Sequence, residues 1–287
     1  MNAFSLNIHG KVCRFDHPLI MGILNVTPDS FYAGSRTPMS HPDAIGRRVA
    51  DMISQGADII DVGGYSTRPG APQVSAAEET DRVVAGIKAV RAISPDILVS
   101  VDTFRADVAR AAVDHGADII NDVSGGLIDP GMSAAVASMQ VPYIMMHMRG
   151  TPQTMTSLTD YPDGVVAGVA AELKEALDRL ADAGVADIIV DPGFGFAKTV
   201  GQNYLLFDNL ALLAELLGHR PMLVGISRKS MIYKPLGITP ADTLAGTTAL
   251  NTMALDRGAA ILRVHDVAAA AQARDVWTLV QQSRHSL

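Results

Sequence analysis

Gly56-Ala-Asp-Ile-Ile60 recurs letter for letter as Gly116-Ala-Asp-Ile-Ile120, and once more as Ala186-Asp-Ile-Ile189 just after Gly184. Each copy follows the glycine that closes a helical pattern and opens a short apolar, β-branched run. Runs of this type return along the whole chain: Leu19–Val26, Ala57–Val62, Ile97–Val101, Ala117–Val123, Val141–Met146, Ala186–Val190, Pro221–Ile226 and Ala259–Val264. Near-continuous Val, Ile and Leu, rather than alternation with polar residues, is what a parallel sheet covered on both faces requires. Between the runs lie helical patterns: Ala44–Gln55 after Pro42 and Asp43, a capping box Ser75-Ala-Ala-Glu78 opening a helix to Ala92, and Arg105–His115. Shorter and longer patterns follow at Ser133–Ser138, Val165–Ala183 and Gln202–Leu217, from Thr239 to Gly258, and from a cap at Asp266 to Gln281.

Eight strands alternating with eight helices predict an α/β fold, a (β/α)₈ TIM barrel. An open doubly wound sheet would carry a Gly-rich phosphate turn after its first strand. Here that turn reads Asn25-Val-Thr-Pro-Asp-Ser-Phe31. Residues 1–18 hold a His9-Gly10 turn between short extended stretches and are expected to form a hairpin plugging the bottom of the barrel, with residues 19–287 as the barrel itself. The 287 residues are 48% hydrophobic, 18% charged and 5% aromatic, a globular composition. A net charge of −7 without blocks of like charge argues against a nucleic-acid partner. A single cysteine, Cys13, excludes an internal disulfide. The opening segment lacks the apolar core of a signal peptide and no run suits a membrane span, so a cytoplasmic protein is expected.

Barrel chemistry sits at the C-terminal ends of the strands. Those positions are Asn25, Asp61, Asp102, Asn121, His147, Asp191, Ser227-Arg228-Lys229, and Arg263 with His265. In a closed barrel the first and last strands are neighbours, which brings Asn25 towards Arg263 and His265 and suits an anion such as phosphate. The bland readings are a salt bridge from Arg263 to a helix and a structural His265. Asp102, Asn121 and Asp191 together present the donor and acceptor edges that read a planar, amino-bearing heterocycle, although an aspartate at a strand end also suits a helix cap. Asp191-Pro-Gly-Phe-Gly-Phe196 sets an aromatic between glycines, as a flat ring ligand demands. The long loops Thr27–Ser40 and Gly63–Val74 carry Asp29, Phe31, Ser66, Thr67, Arg68 and Pro69 and read as closing loops. With no H-E-x-x-H and scattered histidines, the expected metal is Mg²⁺ carried with phosphates and touched by Asn25.

These residues resemble the dihydropteroate synthase family. The matching stretches are Gly22–Phe31, Asp61-Val-Gly-Gly-Tyr-Ser-Thr-Arg-Pro-Gly-Ala71, Ser100-Val-Asp-Thr103, Ile120-Asn-Asp122, Met145-Met-His-Met148, Asp191–Phe196, Gly225-Ile-Ser-Arg-Lys-Ser-Met231 and Arg263-Val-His-Asp-Val267. The resemblance implies a homodimeric barrel that joins (7,8-dihydropterin-6-yl)methyl diphosphate to 4-aminobenzoate in folate synthesis, and a target for sulfonamides that mimic 4-aminobenzoate. Asp102, Asn121, Asp191 and Lys229 would hold the pterin. Asn25, Thr67, Arg263 and His265 would take the diphosphate, with Mg²⁺ at Asn25. Thr67, Pro69, Phe196, Lys229, Ser230 and Arg228 would border the aminobenzoate, and Met146, Gly195 and Gly225 would line the pocket. The implied catalytic set is Lys229, Arg263, His265, Asp102, Asp29, Thr67 and Arg68. The expected chemistry is a dissociative substitution, because the aniline nitrogen is neutral at pH 7 and needs no strong base. Two positions depart from the family pattern: Tyr65 where glutamate is common and Ala197 where glycine is common. Competing readings are a pterin-dependent methyltransferase domain, which needs no diphosphate clamp, and a non-catalytic pterin-binding paralogue, which would have lost loop or anion residues.

Overall fold

The computed structural model describes residues 3–27, 42–66 and 73–284. Two strands, β1 (Phe4–Ile8) and β2 (Lys11–Phe15), form an antiparallel hairpin. Its turn residues His9 and Gly10 both have positive φ, 49° and 81°, as the twist of a two-residue hairpin demands. Eight parallel strands follow: β3 (Leu19–Asn25), β4 (Ile59–Gly63), β5 (Leu98–Asp102), β6 (Ile119–Asp122), β7 (Tyr143–Met146), β8 (Ile188–Asp191), β9 (Leu223–Val224) and β10 (Ile261–Val264). They run in the order β8-β7-β6-β5-β4-β3-β10-β9, and a parallel bridge between Val190 and Met222 joins the two ends, so the sheet closes as a barrel. The first and last barrel strands are indeed neighbours, with Arg263 level with Met21.

The helices between and after them are α1 (Pro42–Ser54), α2 (Ala76–Ile93), α3 (Ala106–Asp114), α4 (Met132–Met139), α5 (Val165–Asp182), α6 (Val200–Asp208), α7 (Leu210–Leu216), α8 (Ser230–Leu236), α9 (Leu244–Asp256) and α10 (Val267–Arg284). Two apolar layers hold this arrangement. One lies between strands and helices, where Ile60, Val62 and Val99 meet Val83 and Ile87. The other fills the lower barrel interior, where Leu6 and Ile8 of the hairpin pack on Met21, Ile59, Ile119, Ile144 and Ile189. Each such buried Ile or Leu contributes about 1.5–3 kcal/mol.

The repeated Gly-Ala-Asp acquires a physical meaning here. Gly56 and Gly116 adopt φ of 96° and 103°, which a side chain would strain, and so end their helices. The aspartate two residues later then ties neighbouring chain at the lower rim. Asp58 accepts from Ile20 N at 2.8 Å, Asp118 from Val99 N at 2.7 Å, and Asp187 from Asn7 N in the hairpin at 3.0 Å.

Three elements differ from expectation. The seventh barrel strand shrinks from Pro221–Ile226 to Leu223–Val224, because Pro221 has no N–H to offer and Gly225 begins the rim turn. The helix expected over Gln202–Leu217 breaks at Asn209, whose side-chain amide donates to Leu205 O at 2.8 Å and caps α6. An unforeseen short helix, α8, starts directly after Lys229; Pro235 within it disguises the helical pattern.

Candidate active site

Strand register sets the upper rim side by side. Asn25 lies level with Gly63, Gly63 with Asp102, Asp102 with Asn121, and Met146 with Asp191. Gly63 is a needed gap in this row: a Cβ there would sit 3.4 Å from Asn25 Oδ1 and 3.5 Å from Asp102 Cβ. Across the barrel, Arg263 reaches in from β10. Its Nε donates to Asp61 Oδ2 and its Nη2 to Asp102 Oδ2, each at 2.7 Å, while Asn121 Nδ2 also donates to Asp61 Oδ2 at 3.1 Å. Asp61 is fully buried, and its Oδ1 has no hydrogen-bond partner among the described residues.

Electrostatics follow from this crowding. Burial pushes Asp102 above the usual carboxylate range, opposed by Arg263 and reinforced by Asp61. Burial likewise raises Asp191, against the pull of Lys229. Lys229 is lowered to about 8 by burial, with Asp191 holding it up and Arg263 pressing it down. The Arg263 guanidinium is raised, since Asp61 and Asp102 outweigh its own burial, and it stays charged. The upper barrel is thus a cluster of carboxylates, one carboxamide and two cations that share charge within one small volume.

Lys229 joins this polar cluster to an aromatic side. Its Nζ donates to Phe194 O at 2.6 Å and lies 4.9 Å from the centre of the Phe196 ring. Gly195, between those phenylalanines, is at φ 82°, and a Cβ there would lie 3.4 Å from Lys229 Cδ. Met146 is buried beside Phe196 and Val123. On the other side of Lys229, Ser227 Oγ meets His265 Nδ1 at 3.1 Å and accepts from His265 N at 3.2 Å. Ser230 begins α8, and Gly225 is buried beneath Arg263 Cβ.

Arg228 is turned aside. It sits at φ 58°, half-exposed, and forms a two-pronged pair with Asp266 at 3.0 and 2.6 Å. Asp266, expected as a helix cap, stands directly before α10, accepts from Ala270 N through its carbonyl, and puts its carboxylate on that arginine. Of the expected site residues, Asn25, Asp102, Asn121, Met146, Asp191, Gly195, Phe196, Gly225, Lys229, Ser230, Arg263 and His265 come to one end of the barrel. Asp29, Thr67, Arg68 and Pro69, together with Phe31, lie outside the described residues. Tyr65 stacks edge-on against Phe104 at 5.3 Å, with Arg105 over both rings, so the departure from glutamate fills an aromatic niche. Two residues were given no role on sequence grounds. Asp61 is a charge embedded in an apolar strand, Ile60-Asp61-Val62, which was the available signal. Lys198 directly follows the aromatic loop, next to the variant Ala197, and that place in the run was its available signal.

Asn25 offers a neutral, hard oxygen towards the gap over Gly63. Among the described residues no group of three or more His, Cys, Asp or Glu could hold a metal ion. That donor set fits a Mg²⁺ that brings phosphate oxygens with it and does not fit a cage built by protein alone.

Comparison with known proteins agrees with this geometry. The family model described as "Pterin binding enzyme" matches residues 21–265. The dihydropteroate synthase of a Synechocystis strain is 46% identical over 256 residues, covering 88% of this chain and 86% of that one. The Escherichia coli K12 dihydropteroate synthase is 45% identical over 260 residues, 90% of each chain. The solved structure of Xanthomonas albilineans dihydropteroate synthase with 4-aminobenzoic acid superposes with a TM-score of 0.88 at 40% identity, over 98% of this chain and 99% of that one. The chain belongs to the dihydropteroate synthase family of pterin binding enzymes.

Proposed function

We propose that the protein condenses (7,8-dihydropterin-6-yl)methyl diphosphate with 4-aminobenzoate, giving 7,8-dihydropteroate and diphosphate. The observation that carries this reading is the convergence of Asp102, Asn121 and Asp191 with Lys229 beside Phe196: a heterocycle-reading pocket next to an aromatic shelf. Asp191 and Asn121 take the amino and ring N–H edge of the pterin, and Lys229 donates to its carbonyl side. Phe196 lies against the aminobenzoate ring, and Ser230, at the start of α8, offers an N–H and a hydroxyl to its carboxylate. Arg228 contributes there only after exchanging Asp266 for the substrate carboxylate.

In the reaction the bond between the pterin methylene and the diphosphate oxygen breaks, and its electron pair leaves with diphosphate. The aniline nitrogen donates its lone pair to the methylene carbon and then loses a proton to solvent. Positive charge developing on the methylene is favoured by Asp102 and Asp191, whose charges the pocket holds out of water. Negative charge on the leaving group is met by His265, oriented by Ser227, and by Arg263, whose plane is fixed by Asp61 and Asp102. Mg²⁺ held at Asn25 would supply further neutralisation of the diphosphate.

The protein is proposed to act in the cytoplasm as a homodimer. No helix of the described residues is long and apolar enough to cross a membrane, and large apolar side chains are exposed on successive helices, among them Leu205, Leu216, Leu236, Leu244 and Leu279. Sedimentation at micromolar concentration should give twice the chain mass, and a monomer there would contradict the dimer. The function is tested by supplying purified protein with Mg²⁺ and both substrates and following dihydropteroate. Product that requires both substrates is expected. Tight pterin binding without product would instead favour a non-catalytic paralogue.

A further inference from the structure

Behind the aromatic loop a buried lysine and histidine lead out to a half-buried ion pair, and the proposed chemistry uses none of them. Lys198 is 8% exposed. Its Nζ lies 2.9 Å from His147 Nδ1, 3.0 Å from Gly193 O and 3.0 Å from Phe196 O. Three acceptors match the three N–H bonds of an ammonium and leave none unused. One arrangement of protons satisfies the partners: neutral His147 accepts at Nδ1 and donates from Nε2 to Glu172 Oε2 at 3.0 Å. Glu172 is also gripped by Arg149, Arg149 lies 3.8 Å over the Tyr161 ring, and the Tyr161 hydroxyl donates to Ala197 O at 3.0 Å. The chain of contacts that leaves Lys198 therefore returns to the residue before it.

The loop so enclosed needs such support. Gly193, Ala197 and Gly195 between them all have positive φ, at 70°, 48° and 82°. No regular ladder can hold such a path, and Ala197 adopts it despite its side chain. Gly193 is pressed so close that a Cβ would fall 2.0 Å from His147 O. The front of the loop is held by Lys229 on Phe194 O at 2.6 Å, and its flank by Asn203 Oδ1, which accepts from Gly195 N at 2.7 Å.

We propose that Lys198, anchored by His147 and Glu172, is a positioning residue that fixes the Gly193–Ala197 backbone and thereby sets Phe196 and the Lys229 perch on Phe194 for the aminobenzoate half of the reaction. This rests on the reading of Phe196 and Lys229 as substrate contacts. Supporting it, burial pulls Lys198 down to about 7 and His147 to about 4, while Glu172 is held at about 2: its own burial raises it, but hydrogen bonds from His147 and Arg149 outweigh that.

The test compares wild type with Lys198→Met, Lys198→Arg and Glu172→Gln in two measurements. The first is amide hydrogen exchange in the protein without substrates, read over residues 192–198 and over the barrel strands. The second is KM for 4-aminobenzoate set against the Kd of the pterin diphosphate. Lys198→Met should speed exchange in the loop by about tenfold or more while the strands stay protected. It should also raise KM for 4-aminobenzoate about tenfold with pterin Kd within about threefold, since a misplaced contact costs heavily in the step it positions. Glu172→Gln should give the same pattern more weakly, and decides the matter if Lys198→Met does not fold. Lys198→Arg, which keeps the charge, should fall nearer wild type than Lys198→Met. Unchanged loop exchange, or KM and Kd shifting together with a general loss of protection, overturns the proposal. So does faster loop exchange with an unmoved KM. A wild type that forms no product refutes the functional reading, and the exchange measurement still decides whether Lys198 holds the loop.

Discussion

The two ends of the barrel use the same residue, aspartate, to opposite effect. At the lower rim Asp58, Asp118 and Asp187 point their carboxylates at strand and hairpin N–H groups, and Asp58 and Asp118 add the guanidinium groups of Arg274 and Arg91 at 2.7 and 2.5 Å. Each is matched by protein groups. At the upper rim Asp61, Asp102 and Asp191 are crowded together and buried. Asp102 and Asp191 are raised by that burial, and Asp61 keeps one oxygen without a partner among the described residues. The lower carboxylates finish the fold. The upper ones are held where burial resists their charge, so a positive charge developing beside them is favoured.

The comparison is broken most severely by variants at the upper end. Lys229→Ala should cost about 2–4 kcal/mol of transition-state stabilisation, roughly 30- to 1000-fold in kcat/KM, with little change in melting temperature. Near-normal kinetics would remove Lys229 from the site. Acid separates the ends next. His147 sits at about 4 in the fold against an ordinary 6.5, so the unfolded chain binds the proton more readily. Its contribution is complete above pH 6.5 and is lost as the pH falls towards 4, by up to about 3 kcal/mol. Denaturant titrations across that range should show the slope, and His147→Asn should flatten it. Asp118→Ala is the complementary change at the lower end: about 2 kcal/mol of stability lost, with kcat/KM preserved in the folded fraction. A large kinetic effect there would contradict the division. The smallest effect is expected from Ala197→Gly, which relieves a positive φ and should stabilise by about 1 kcal/mol or less in the same titration.

Much of this division could be read in the amino-acid order. The eight apolar runs and their closing glycines gave the barrel, and the polar residue ending each run gave the upper ring, because strand ends and helix caps are local properties. Pairing across the barrel is not local. Arg263 and Asp61 are 202 residues apart, and nothing in either segment announces that the arginine expected to face an anion also rests on two carboxylates. The part Lys198 plays is hidden for a related reason: two of its acceptors are backbone carbonyls whose direction depends on a run of positive φ angles, and the third, His147, lies 51 residues away. The short β9 and α8 were obscured by prolines at Pro221 and Pro235, which read as breaks where the chain tolerates them.

If the upper carboxylates exist to meet positive charge, the reacting carbon must develop it. The secondary deuterium isotope effect on kcat/KM, with both hydrogens of the pterin methylene replaced by deuterium, reports on that carbon directly. A normal effect, slower with deuterium, is predicted for a loosened transition state stabilised by Asp102 and Asp191. An inverse effect would indicate a tight, associative displacement and would contradict the role assigned to the upper rim.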